Sequence, residues 1–182
     1  DTNFALPPYV VTTPAPNQSA PTVPLVSSMK FTQIKNFAVG GAAIDSLGYV
    51  WTWGYKNRGR TGLGEDFKYA GGMKRVAFFV DNNIKVAKIE SSYDTVFATT
   101  TDGEVYAWGN NKNGQIGNGK DGLANDAYTP QKVLFPDREK IALLDASDDA
   151  DGAAVMAVSE SGNVYGWGYG RGGELPFFKG DS

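Results

Sequence analysis

Three loops in this chain hold side chains suited to molecular recognition, and each begins directly after a Trp-Gly pair. They read Tyr55-Lys56-Asn57-Arg58, Asn110-Asn111-Lys112-Asn113 and Tyr169-Gly170-Arg171-Gly172. Tyr and Arg combine contact area with hydrogen bonding, and such residues concentrate binding energy at protein interfaces. We therefore take Tyr55, Lys56, Asn57, Arg58, Asn110, Asn111, Lys112, Asn113, Tyr169 and Arg171 as candidate partner-binding residues. The competing account is that the asparagines only satisfy turn geometry and the cations are solvated.

Other chemistry is sparse. Asp145, Asp148, Asp149 and Asp151 form the one acidic cluster, and Ser147-x-Asp149-x-Asp151-Gly152 has the outline of a calcium loop. Val158 stands where that loop needs its bidentate Glu, so a solvated insertion is the better account and no metal site is assigned. The 182 residues include no Cys and no His. That removes disulfides, thiolate or imidazole metal ligands, Ser-His-Asp triads and Cys-His dyads. Glu104, Glu160 and Glu174 stand apart with no carboxylate partner in the sequence. No catalytic residue and no cofactor is expected. A net charge of −3, with scattered lysines and arginines, gives no basic stripe for nucleic acid. No apolar run approaches the roughly 18 residues of a membrane-spanning helix.

The elements that position the loops repeat along the chain. Residues 1–29 contain six of the nine prolines and read as an extended linker or tail without a core of its own. Asn17-Gln18-Ser19 within it is a formal glycosylation sequon. From Lys30 the sequence recurs, with Trp53, Trp108 and Trp167 spaced 55 and 59 residues apart (53 to 108, 108 to 167). Ile34 precedes Gly48 by the same interval that separates Ile89 from Gly103. A period of this size marks propeller blades or another stacked array.

Each copy predicts a hairpin. Gly48, Gly103 and Gly162 lie between strand-like runs and supply the positive φ of a tight turn. Tyr49, Trp51 and Trp53 then point to one face, and Val50 and Thr52 to the other. Tyr106 and Trp108, then Tyr165 and Trp167, repeat the bulky face, opposite small residues. Two buried faces, one bulky and one small, suit stacked sheets, so the tryptophans read as core. Further strands are expected over Val76–Val80, Ile84–Ile89, Lys132–Phe135 and Ile141–Leu144, giving about four per repeat.

The middle copy reads Trp108-Gly109-Asn110-Asn111-Lys112-Asn113-Gly114-Gln115-Ile116-Gly117, followed by Pro130-Gln131-Lys132-Val133. This resembles the regulator of chromosome condensation repeat, W-G-x-N-x-x-G-Q-L-G with a later Pro-x-x-Val strand. The first copy keeps Trp53, Gly54, Gly59, Gly62, Leu63 and Gly64; the third keeps Trp167, Gly168, Gly173, Glu174 and Leu175.

The resemblance covers residues 30–182 and implies an all-β fold of four-stranded antiparallel propeller blades. Three repeats, the last incomplete, suggest part of a larger propeller. Members of the family are scaffolds and binding surfaces. The implied function is non-enzymatic: a scaffold that binds a protein partner or neighbouring subunit through its loops. The lack of His and Cys resembles bacterial extracellular members, so a secreted or cell-surface location is expected. The wedge that the family's nucleotide exchange factor inserts at its GTPase has no match here. Rival readings are a carbohydrate-binding propeller or adhesin with a glycan partner, and a purely architectural subunit.

Overall fold

The computed structural model describes residues 29–55, 57–65, 69–147, 152–170 and 175. The Pro-rich segment and its sequon lie outside the described residues, apart from Met29.

Among the described residues three antiparallel sheets follow one another. The first contains β1 (Phe31–Phe37), β2 (Gly40–Asp45), β3 (Val50–Tyr55) and β4 (Tyr69–Arg75), paired in sequence order. A one-turn helix, α1 (Ala77–Asp81), leads into the second sheet of β5 (Val86–Ser91), β6 (Thr95–Thr100), β7 (Val105–Gly109) and β8 (Ala127–Lys132). The third pairs β9 (Ile141–Ala146), β10 (Ala154–Ser159) and β11 (Val164–Gly168). These are propeller blades, as the repeat implies.

The hairpin glycines behave as their spacing requires. Gly48, Gly103 and Gly162 have φ of 82°, 79° and 91°, and each donates its N–H to the residue three positions earlier. That earlier residue also caps the turn with its side chain. Asp45 Oδ1 accepts from the amides of Leu47 and Tyr49, Thr100 Oγ1 from Glu104, and Ser159 Oγ from Asn163. A short polar acceptor at this position competes well for local backbone donors, which is why turns favour Asp, Ser and Thr. The sequence pattern held this signal, but alignment on glycine and tryptophan alone passes over it.

The strand registers separate the two faces. Val96 lies opposite Trp108 and Ala98 opposite Tyr106, so all four share the face toward the first blade. Phe97, Val105 and Ala107 occupy the other face, toward the third blade. Between blades one and two the bulky face meets the small face of its predecessor. Trp108 is fully buried there, and its indole N–H donates to the Arg60 carbonyl at 3.0 Å. Trp167 repeats the contact with the Gln115 carbonyl at 2.9 Å. Gly62 and Gly117 leave room for these rings, since a Cβ at either would press on Trp108 or Trp167.

Two strand expectations are corrected. Val76–Val80 is not a strand; α1 occupies most of it, and the outer strand is β4, just upstream. The helical turn sets Phe79 against Trp108 and Tyr106, with centroids 5.8 and 6.0 Å apart, and Phe78 against Tyr106 at 5.3 Å. Burying Phe79 and packing half-buried Phe78 beside it outweighs the β preference of this run. The outer strand of the second blade likewise lies earlier than Lys132–Phe135, at Ala127–Lys132. Phe135 is left to pack on Tyr165 and Trp167 at 5.3 and 5.6 Å.

Candidate interaction surface

Each candidate loop leaves its strand at the glycine of the Trp-Gly pair. Gly54, Gly109 and Gly168 have φ of 104°, 109° and 90°. A Cβ there would collide with the backbone carbonyl of Val39, Asp94 or Ala153. Only glycine lets the chain turn this tightly beside its neighbouring strand. The three loops therefore leave their blades in the same way.

In the first loop Tyr55 is 54% exposed and Asn57 is exposed, while Arg58 is half-buried with φ of 59°. Arg58 Nη1 donates to Asn110 Oδ1 at 2.8 Å, joining this loop to the second. Its Nε lies 3.9 Å from Asp94 Oδ2. Beneath it, buried Arg60 forms an ion pair with Asp94 Oδ1. Burial pushes the Asp94 carboxyl above the ordinary range, and the Arg60 and Arg58 cations oppose that rise. Lys56 lies outside the described residues.

The second loop turns its first two side chains inward. Asn110 and Asn111 are buried, at 4% and 0% exposure. Asn110 Oδ1 also accepts from the Lys112 amide at 2.9 Å. Asn111 Oδ1 accepts from the Ile116 amide, and its Nδ2 donates to the Lys120 carbonyl. Asp126 Oδ1 accepts from the Asn111 amide at 2.8 Å. These asparagines shape the loop, so the outward-facing set narrows. Lys112 is exposed, and Asn113 is half-buried with its amide donating to Gln115 Oε1 at 2.9 Å.

The third loop begins at half-buried Tyr169, whose amide donates to the Ala153 carbonyl at 2.8 Å. Gly152 brings it close to the second loop, because a Cβ there would strike Asn113 and lie 3.4 Å from Tyr169 Cβ. Arg171 lies outside the described residues, as do Asp148, Asp149 and Asp151. Asp145 is exposed on β9, and Ser147 Oγ accepts from the Ala154 amide at 2.9 Å. Among the described residues no group of three acidic, His or Cys side chains could hold a metal ion.

The first two loops thus form a contiguous rim with a polar, internally bonded floor, and the described start of the third loop adjoins it at Tyr169. The Arg60–Asp94 pair in that floor escapes inspection of the sequence. Arg60 stands where the repeat has Gln115, and Asp94 where the third copy has Ala153, so neither matches its counterparts. A paired departure from the repeat is the signal that could have found it. Elsewhere, the junction of the second and third blades opens into a groove of about 480 Å³ lined by Phe135, Tyr165, Trp167 and Lys120. Among the described residues no helix is long and apolar enough to cross a membrane.

Residues 102–149 match the Regulator of chromosome condensation (RCC1) repeat, and residues 86–115 match a second description of it. The chain is similar to the Ultraviolet-B receptor UVR8 of Arabidopsis thaliana, with 32% identity over 126 residues, 69% of this chain and 26% of the receptor. It is similar to the probable E3 ubiquitin-protein ligase HERC6 of Homo sapiens, with 32% identity over 133 residues, 73% of this chain and 12% of the ligase.

Two solved structures share the fold. Human WBSCR16 has a TM-score of 0.67 at 21% identity, covering 79% of this chain and 34% of that one. Prp20p from Saccharomyces cerevisiae, described with its binding to Gsp1p and histones, has a TM-score of 0.61 at 22% identity, covering 78% and 33%. The chain therefore spans only a minor part of each of these proteins.

Proposed function

We propose that this chain, which carries repeats of the regulator of chromosome condensation family, is a non-catalytic scaffold that binds another protein through the rim of its Trp-Gly loops. The observation that carries the reading is the Arg58–Asn110 bond above the Arg60–Asp94 pair. It ties two loops of different blades into one platform, with Tyr55, Asn57 and Lys112 on the outside. A preorganised surface loses less side-chain and loop entropy on association, so its contacts convert to affinity more fully. Prp20p, with the same fold, is described with protein partners, which supports a protein rather than a glycan here.

The proposal includes a bacterial, secreted or cell-surface setting, motivated by the lack of Cys and His in the chain. Cross-linking mass spectrometry on material captured from the native source tests the rim. Cross-links from Lys112 to a captured protein support the reading. Cross-links confined to other lysines of the chain, such as Lys30 and Lys74, argue against it.

A further inference from the structure

We infer that the groove between the second and third blades takes a phenyl ring from the protein bound at the rim, resting on the rim reading only for the source of that ring. The groove lies at a junction inside the stack, and the first junction supplies the template for what fills it.

The two junctions match at their start and at their end. The Val76 amide donates to the Val50 carbonyl and the Val133 amide to the Val105 carbonyl, each acceptor two residues after a hairpin glycine. Where the next blade begins, Val86 donates to the Gly48 carbonyl and Ile141 to the Gly103 carbonyl. Between these anchors the first connection has nine residues (77 to 85) and the second seven (134 to 140). Counted from the anchor valines, Phe135 stands in the place of Phe78, and Pro136 in the place of Phe79. The shorter connection therefore delivers one ring where the longer delivers two.

The missing ring leaves its mark on the next blade. Phe78 and Phe79 together close over Tyr106 and Trp108, which are 8% and 0% exposed. At the second junction Phe135 packs on both Tyr165 and Trp167, and all three stay half-buried. The space beside them is the groove of about 480 Å³, within the roughly 300–1,000 Å³ of ligand clefts. Aromatic pairs in edge-to-face geometry gain more than their buried area alone provides. Phe78 and Phe79 make such tilted and edge contacts with the equivalent rings, at centroid distances of 5.3 to 6.0 Å. A phenyl side chain thus matches the open place better than an aliphatic one.

The groove also adjoins the rim. Its wall includes Gly114 and Lys120, and Asn111 of the second loop donates through Nδ2 to the Lys120 carbonyl at 3.0 Å. Leu134, 66% exposed, forms an apolar lip, beside exposed Lys120 and Asp121. An apolar slot with a polar mouth suits a ring carried on a peptide backbone. A protein segment lying across Lys112 has this slot directly beside it.

An NMR titration of the 182-residue chain with N-acetyl-phenylalaninamide tests the groove without any partner. The Trp167 indole N–H signal should shift saturably, with a Kd of about 1–10 mM. The Trp108 signal, already covered by Phe79, should stay in place. N-acetyl-leucinamide should bind at least about tenfold more weakly. Leu134→Glu puts a charge on the lip and Pro136→Phe supplies a ring from within; each should weaken the phenyl probe by at least about tenfold. Either variant carries the test if the other does not fold. Alanine at Tyr55, Asn57 and Lys112 should leave the titration unchanged, so the groove and the rim fail separately. No saturable shift at Trp167, an equal response to the leucine probe, or a titration unchanged in the folded groove variants overturns the proposal. Capture of the rim's partner should fall with Leu134→Glu; undiminished capture overturns the assignment of the ring to that protein.

Discussion

Trp108 donates its indole N–H to the carbonyl oxygen of Arg60, 3.0 Å away in the preceding blade. The ring thereby fastens one blade to the loop of the blade before it. Phe79 and Gly62 close over the same ring. The same geometry at Trp167 and Gln115 makes this a property of the repeat rather than of one site.

Trp108→Ala should destabilise the fold by about 3–5 kcal/mol through the cavity it opens. Trp108→Phe should lose less, keeping most of the packing but leaving the Arg60 carbonyl without its donor, for about 1–3 kcal/mol. Denaturant melts of the purified variants measure both. An unchanged midpoint for the alanine variant would show that the ring is not part of the core.

Glycines in the loops should differ in cost according to what surrounds them. Gly62 has φ of 66° and would bring a Cβ to 3.0 Å from Trp108, while Gly119 has φ of 78° and nothing within 4 Å. Gly119→Ala should cost only the left-handed backbone penalty, about 1–2 kcal/mol. Gly62→Ala should cost more than that, because it also displaces the ring. Equal melting temperatures for the two variants would contradict this packing.

The Arg60–Asp94 pair gives a double-mutant test. Asp94→Ala strands a buried guanidinium and should cost about 3–5 kcal/mol. Arg60→Gln combined with Asp94→Ala installs the residues found at the next junction, Gln115 and Ala153, and should recover most of that loss. Additive losses in the double variant would show that the two side chains do not interact.

The same pair sets a pH dependence. Burial raises the folded Asp94 pKa above its unfolded value of 3.8, so in acid the folded state keeps a proton that the unfolded chain has lost. Its contribution to stability is therefore greatest below that window and declines as pH rises through it. Removing the carboxyl takes away a gain on acidification. The Arg60→Gln/Asp94→Ala variant should then lose stability more steeply than the wild type as the pH falls toward 3.8, as measured by melting temperature. Parallel curves would contradict the raised pKa.

The blade pattern was legible because propeller faces alternate strictly and each turn demands glycine. Trp53, Trp108 and Trp167 and the three hairpin glycines were enough to place the inner strands. Legibility failed where tertiary contacts overrule local preference. Val76-Ala77-Phe78-Phe79-Val80 has strand composition, yet helix α1 buries Phe79 in the junction and packs half-buried Phe78 on Tyr106. Asn110 and Asn111 have the composition of a recognition loop, but their side chains satisfy backbone donors of the loop itself. Arg60 and Asp94 meet only when two blades stack, so their pairing shows along the chain only as two separate departures from the repeat.

The rim as a protein-binding surface is tested most directly by quantitative capture from the native source with two forms of the chain. One is wild type; the other carries Tyr55→Ala, Asn57→Ala and Lys112→Ala, at positions that are exposed on the rim. The account predicts equal melting temperatures and loss of at least about nine-tenths of the captured partner, the equivalent of about 1.4 kcal/mol. Capture that is unchanged by the triple substitution, at equal stability, would contradict it.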